Sequence, residues 1–303
     1  MAYATHAVHD STVQPEWLDT KLYPFTSRFI TIDGNRLHYI DEGRGPVILF
    51  VHGTASWSFI YRDIIKNLRR DFRCIALDWP GFGLSEAAPD FAASLEGNSY
   101  LLEAFIRKLA LTDITVYGHD SAASMAMGVV GRHPEWFRAV SAANAFAFPL
   151  EGEFPSITRF LRVVRTPMFR FLITQFNFLQ RYTNNGLRGG KLTSTEKASY
   201  LGPTLDKSRR HHHHEMLAAI LDSHDYLVRL EQQLQAVRDM PVLLTFGNTD
   251  EAYKAGFMQR WQRMFPNHRV YIIEGGTHFP QEDDPQGIAD AIRSWWQEDV
   301  VRV

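Results

Sequence analysis

The sequence has 303 residues and a single cysteine, Cys74, set inside the apolar run CIAL. One thiol cannot form an internal disulfide, so the fold is expected to rest on its core alone and to suit a reducing compartment. No stretch of about 18 apolar residues occurs, which removes the usual signature of a membrane-spanning helix. The opening segment MAYATHAVHDSTVQPEWL also lacks the basic start and apolar centre of a secretory signal. A cytoplasmic protein is the expectation. Net charge is nearly absent, at −2, and nucleic-acid binding, which needs a concentrated basic surface, is not expected. Internal repeats and low-complexity segments are missing too. What remains, 45% hydrophobic and 22% charged residues, is the composition of an ordinary globular chain able to bury a large core.

Short apolar runs alternate with helix-length segments. The runs are Arg36–Asp41, Val47–Val51, Cys74–Leu77, Ile114–Tyr117, Ala139–Ala143, Val242–Phe246 and Val270–Ile273. Segments with helical apolar spacing lie between them, including residues 60–69, 100–109, 121–133, 255–265 and 286–298. Such alternation predicts an α/β fold on a mostly parallel, doubly wound sheet. The pattern stops near Leu150 and resumes near Met240, and the interval is rich in Phe and Arg with no convincing strand. The expected division is an N-terminal extension over 1–27, a core over 28–149, an inserted helical cap over 150–235, and the rest of the core over 236–303. Within the cap, FPSITRFLRVVRTPMFRFLITQFNFLQR reads as two amphipathic helices broken at Thr166 and Pro167. A lid whose apolar face covers a pocket is preferred over a helix lying on a membrane, and membrane association is not expected. The run His211–His214 is read as a solvated turn or an adventitious metal binder, because a helix brings only its outer two histidines to one face and no cysteine completes a tetrahedral site. No metal or cofactor is implied.

The stretch VYGHDSAAS at residues 116–124 resembles a nucleophile elbow, a strained strand-to-helix turn that needs small residues two before and two after the nucleophile. Centred on Asp120 those places hold Gly118 and Ala122; centred on Ser121 they hold His119 and Ala123, and an imidazole fits the first badly. Asp120 is therefore the expected nucleophile, with Ser121 as the alternative. A carboxylate that attacks carbon forms an ester, and the ester needs a base to be hydrolysed. His278, in the Gly-rich loop after Val270–Ile273, is the expected base. Asp250, in GNTDEAY after Val242–Phe246, is the expected carboxylate behind it, with Glu251 as local competitor. Oxyanion donors are expected from the backbone N–H groups of Ser121 and of Thr54, in FVHGTASW. A packing role competes with a leaving-group role for the nearby Trp57.

These residues together resemble the α/β-hydrolase superfamily and, within it, the haloalkane dehalogenase-like group. The likeness runs from about Arg28 through IDGNRLHYIDEGRGPVILFVHG, DWPGFGLSE, GHDSA, TPMFRFLITQFN and THFPQEDDP. It implies an α/β-hydrolase fold with a helical cap and a nucleophile, acid and histidine in that order. The group's acid follows either the sixth or the seventh strand; Asn144 holds the first place, leaving Asp250. Two departures stand out. Dehalogenases of this type usually carry tryptophan after the nucleophile and a second halide donor, an asparagine after the HG pair or a cap tryptophan. Here those places hold Ser121 and Thr54, and the cap has no tryptophan. Hydroxyls of Ser121 or Thr54, or the Trp57 indole, would then have to serve. Epoxide hydrolases, the runner-up, use two cap tyrosines, for which Tyr182, Tyr200 and Tyr226 are candidates, and usually carry proline where this chain has Ala55. Fluoroacetate dehalogenases place arginine where Ser121 stands. The implied activity is hydrolysis of an apolar small molecule through an aspartyl ester, haloalkanes first, with water as the other reactant. A serine esterase and a ligand-binding protein without catalysis remain open alternatives.

Overall fold

Strands β1 (His9–Ser11), β2 (Ser27–Ile32), β3 (Asn35–Glu42), β4 (Val47–Val51), β5 (Arg73–Leu77), β6 (Ile114–His119), β7 (Phe137–Ala143), β8 (Val242–Gly247) and β9 (His268–Ile273) form one sheet. Their spatial order is β1-β2-β3-β5-β4-β6-β7-β8-β9. The structure, a computed structural model, describes residues 9–11 and 14–301. The rest of the opening segment lies outside the described residues. Pairing is antiparallel from β1 through β3 to β5 and parallel from β5 to β9.

Central strands are buried on both faces. In β4, Leu49 and Val51 join one core cluster while Ile48 and Phe50 join the other across the sheet. That explains why these strands read as unbroken apolar runs, whereas an edge strand alternates. β2, although paired on both sides, was not evident from the sequence because SRFITI breaks its apolar residues with Arg28 and Thr31. Cys74 is buried in β5.

The chain leaves β4 toward β5, then crosses to β6 on the other side of β4. Adjacent carboxyl ends therefore diverge between β4 and β6, a switch point where open α/β sheets leave a crevice. Helices α1 (Arg62–Leu68), α2 (Leu95–Lys108) and α3 (Ala122–Arg132) precede β7. Between β7 and β8 come α4 (Pro155–Val164), α5 (Pro167–Phe176), α6 (Phe178–Gly186), α7 (Ser194–Leu201), α8 (Arg210–Asp222) and α9 (His224–Leu234). After β8 follow α10 (Glu251–Ala255), α11 (Phe257–Met264), α12 (Pro280–Asp283) and α13 (Pro285–Trp295). No strand interrupts α4 to α9 among the described residues. Thr166 caps α5, its hydroxyl accepting from the Phe169 N–H, and Pro167 opens the helix, so the break expected there is a capped helix start.

Two expectations about this helical interval need correction. Thr158, Leu161, Val164 and Ile173 do turn inward, but Phe160, Val163, Met168 and Phe171 point to solvent. The apolar surface exceeds one face, and only part of it can cover anything. The run His211–His214 is not a solvated turn. It lies in the first turns of α8, with His212, His213 and His214 buried. The His213 ring stacks on Phe82 with centroids 4.2 Å apart, and burial, with the neighbouring imidazole of His52 and the Arg209 guanidinium adding, pushes its pKa down to about 3. These imidazoles are packing groups in their neutral form.

Candidate active site

Asp120 directly follows β6 with φ of +53°, in the left-handed region that costs a residue with a side chain about 1–3 kcal/mol. Close packing enforces the turn. A Cβ on Gly118 would sit 2.6 Å from Ala123 Cα, and one on Gly53 would sit 2.6 Å from Asp120 Cβ. Ser121, by contrast, is already helical at φ −61° and ψ −25°. The strained corner belongs to the aspartate.

The Asp120 carboxylate accepts from the backbone N–H groups of Thr54 and Ser121. Burial holds its pKa above the ordinary 3.8, against the lowering effect of His278 and of those two donors. A carboxyl group attacks carbon only when ionised, so with Asp120 as the expected nucleophile activity should fall on the acid side with a midpoint above 3.8. A pH profile of kcat/KM with a non-ionisable substrate checks this; a midpoint below the ordinary carboxylate value would contradict it.

His278 lies in the loop between β9 and α12, and its Nδ1–H donates to Asp250 Oδ1 at 3.2 Å. That leaves Nε2 free for a proton, with the side chain 37% exposed to the crevice. Burial works against the imidazolium, but Asp250 and then Asp120 outweigh it and raise the pKa to about 9. Asp250 itself is buried, and the His278 cation brings its pKa below the usual value despite desolvation. Glu251 does not compete: it is exposed and pairs with Lys254 at 2.8 Å.

Several residues that sequence reasoning passed over hold the histidine loop. His119 is fully buried, and its Nε2–H donates to the His278 carbonyl at 2.8 Å. Asn144, in the alternative acid position, donates Nδ2–H to Thr277 O at 2.7 Å and accepts from Gly247 N–H at 3.1 Å. An amide bridges there because it must both donate and accept, which a carboxylate cannot. Glu282 in α12 meets Arg62 of α1, Arg188 at 2.6 Å and the Tyr200 hydroxyl at 2.5 Å, and Arg62 also reaches Glu196 at 3.0 Å. One buried cluster thus ties the core, α7 and the histidine loop together. Arg62→Met is expected to lower stability by about 3 kcal/mol, the low end for breaking a buried pair because Arg188 stays on Glu282. Urea unfolding checks this, and an unchanged midpoint would show the cluster to be dispensable.

Of the two roles weighed above for Trp57, the contacts fit packing and leave no indole N–H free for a leaving group. Its indole N–H is taken by Ser199 O at 3.2 Å, and its ring stacks on Phe59. Thr54 differs: its hydroxyl is buried with no hydrogen-bond partner. Ser121 Oγ lies 3.5 Å from Asp120 Oδ2. The tyrosines needed by the epoxide reading are engaged elsewhere. Tyr182 is 71% exposed, Tyr200 serves Glu282, and the Tyr226 hydroxyl donates to Ser124 O at 2.8 Å. On α8 the donor atoms of His211, His212 and Glu215 lie within 4.8 Å of one another.

The model of the alpha/beta hydrolase family matches residues 48–291. A haloalkane dehalogenase of Mycobacterium tuberculosis, "Haloalkane dehalogenase 2", is 34% identical over 277 residues, covering 90% of this chain and 96% of that protein. This chain is an alpha/beta hydrolase of the haloalkane dehalogenase family. This chain is also similar to a cis-3-alkyl-4-alkyloxetan-2-one decarboxylase of Shewanella oneidensis, 27% identical and covering 93% of this chain and 91% of that protein. Among solved structures, an ancestral haloalkane dehalogenase superposes with a TM-score of 0.78 at 26% identity, covering 89% of this chain and 98% of that one. Beside its elbow this hydrolase carries two hydroxyl side chains, Thr54 and Ser121.

Proposed function

We propose that the protein hydrolyses carbon–halogen bonds of small apolar haloalkanes through a covalent ester on Asp120. The observation that carries this reading is the strained Asp120 carboxylate held by two backbone N–H groups, with His278 and Asp250 behind it. In the first step a carboxylate oxygen attacks the carbon and the halide leaves with the bonding electrons. In the second, water attacks the ester carbonyl and His278 Nε2 takes its proton. The Thr54 and Ser121 N–H groups, which already donate to this carboxylate, stabilise the oxyanion that its non-attacking oxygen becomes. Collapse releases the alcohol and restores the carboxylate; haloalkane and water give alcohol, halide and a proton. Alkylation also removes the Asp120 charge that helps hold His278 protonated, so the imidazole gives up its proton more readily and is free to accept one from water at the step that needs it.

The leaving halide needs donors, and the unpartnered Thr54 hydroxyl and Ser121 Oγ fill that role here in place of an indole. Weaker halide stabilisation sets an order: iodide and bromide are expected to leave faster than chloride, and Thr54→Val is expected to slow bromide release by about tenfold to a hundredfold. Halide release across 1-halobutanes tests the reading; equal rates for chloride and iodide with no effect of Thr54→Val would remove these hydroxyls from it. The same scarcity of halide donors favours a second reading, opening of a strained oxetan-2-one, whose leaving group is not a halide. Carbon dioxide release from such a lactone, without halide release from any haloalkane, would put that reading first.

A further inference from the structure

Between Glu153 and Glu196 the sequence has no carboxylate, yet α4, α5 and α6 present Arg159, Arg162, Arg165, Arg170 and Arg181 to solvent. Among these arginines stand Phe160, Val163, Met168, Phe171, Phe176 and Tyr182, exposed by between 48% and 71%. On α4 the two kinds alternate along the outer face, Arg159 beside Phe160 and Arg162 beside Val163, while Thr158, Leu161 and Val164 turn inward. The exposed rings rest on one another: Phe171 meets Phe176 edge-on at 5.7 Å, and Phe178 stacks over Tyr182 at 5.9 Å. Little neutralises the cations. Arg162 and Glu151 are 3.7 Å apart, and Arg165 and Asp222 2.8 Å apart, but both pairs are exposed and worth little. Arg159, Arg170 and Arg181 have no ion pair among the described residues. An exposed apolar patch of this kind marks an interaction surface.

We propose that this outer face of α4 to α6 docks on an anionic membrane surface, with the apolar side chains entering the interface and the arginines meeting lipid phosphates. No helix among the described residues is long and apolar enough to cross a membrane, and the docking proposed is on the bilayer surface. A second copy fits worse. A two-fold dimer sets the same patch against itself, and that patch offers arginines with no carboxylate from the same stretch to answer them. The docking stands apart from the reaction proposed above, and only its use rests on that reading: apolar substrates concentrate in bilayers, where this face would hold the enzyme.

Flotation of the full chain with phosphatidylglycerol–phosphatidylcholine vesicles, and with phosphatidylcholine alone, tests the proposal at low ionic strength and at about 0.5 M salt, where screening is nearly complete. Binding is expected only to the anionic vesicles and only at low salt. Replacing Arg159, Arg170 and Arg181 by Gln together is expected to weaken it about a hundredfold, at about fivefold per arginine. Phe171→Ser with Tyr182→Ser is expected to weaken it about tenfold, while thermal unfolding stays as in the unaltered chain. Absence of binding at low salt, or equal binding to neutral vesicles, would overturn the proposal without touching the reading of the triad. So would a dimer in sedimentation that Phe171→Ser abolishes while vesicles capture nothing. The lipid and salt dependence needs no variant, so a misfolded variant does not rescue the idea.

Discussion

A His278→Phe variant is expected to release one equivalent of halide per chain and then stop, with the alkyl group left on Asp120. Alkylation needs only a carboxylate and a placed carbon, both of which survive the change. Ester hydrolysis needs a base, and His278 is the titratable side chain that shares a hydrogen bond with Asp250 and an electrostatic interaction with Asp120. Intact-mass measurement should show the chain heavier by the alkyl group, and peptide mapping should place it on the segment that contains Asp120. Continued turnover, or no halide at all, would contradict the division of labour.

Asp120→Ala is expected to cost about 10⁴-fold or more in halide release, since no bond to carbon can form. Ser121→Ala is expected to cost only about tenfold to a hundredfold, because its backbone N–H still reaches the carboxylate and only a weak donor is lost. The backbone makes the contrast sharp: the left-handed corner is at Asp120, and Ser121, the residue before α3, already has helical angles. If Ser121→Ala were dead and Asp120→Ala active, the serine reading would replace this one.

The sheet was legible in the sequence because strands buried on both faces leave continuous apolar runs, as Val47–Val51 does; β2 was not, because polar residues interrupt it. Spacing around VYGHDSAAS located the strained residue, since tight packing at Gly118 restricts what can stand there. Facing directions were harder to read. A helix rich in Phe and Arg does not announce how many of its apolar residues point outward, and α4 and α5 point several into solvent. Four consecutive histidines looked polar, yet α8 buries three of them as neutral rings. Trp57 lay near the elbow in sequence, but its N–H turns to Ser199. The supports of the histidine loop, Asn144, His119 and the Arg62–Glu282 cluster, join segments far apart in the chain. Only the folded arrangement brings them together.

The central claim is that the oxygen of the product alcohol comes first from Asp120. A single turnover of the unaltered protein in water labelled with heavy oxygen, with protein in excess over a bromoalkane, separates the possibilities. If water attacks the ester carbonyl, the label enters the Asp120 carboxylate and the alcohol of that first turnover is unlabelled. Label in the alcohol of the first turnover, with none in the peptide that contains Asp120, would mean that water attacks the substrate itself and that no ester forms.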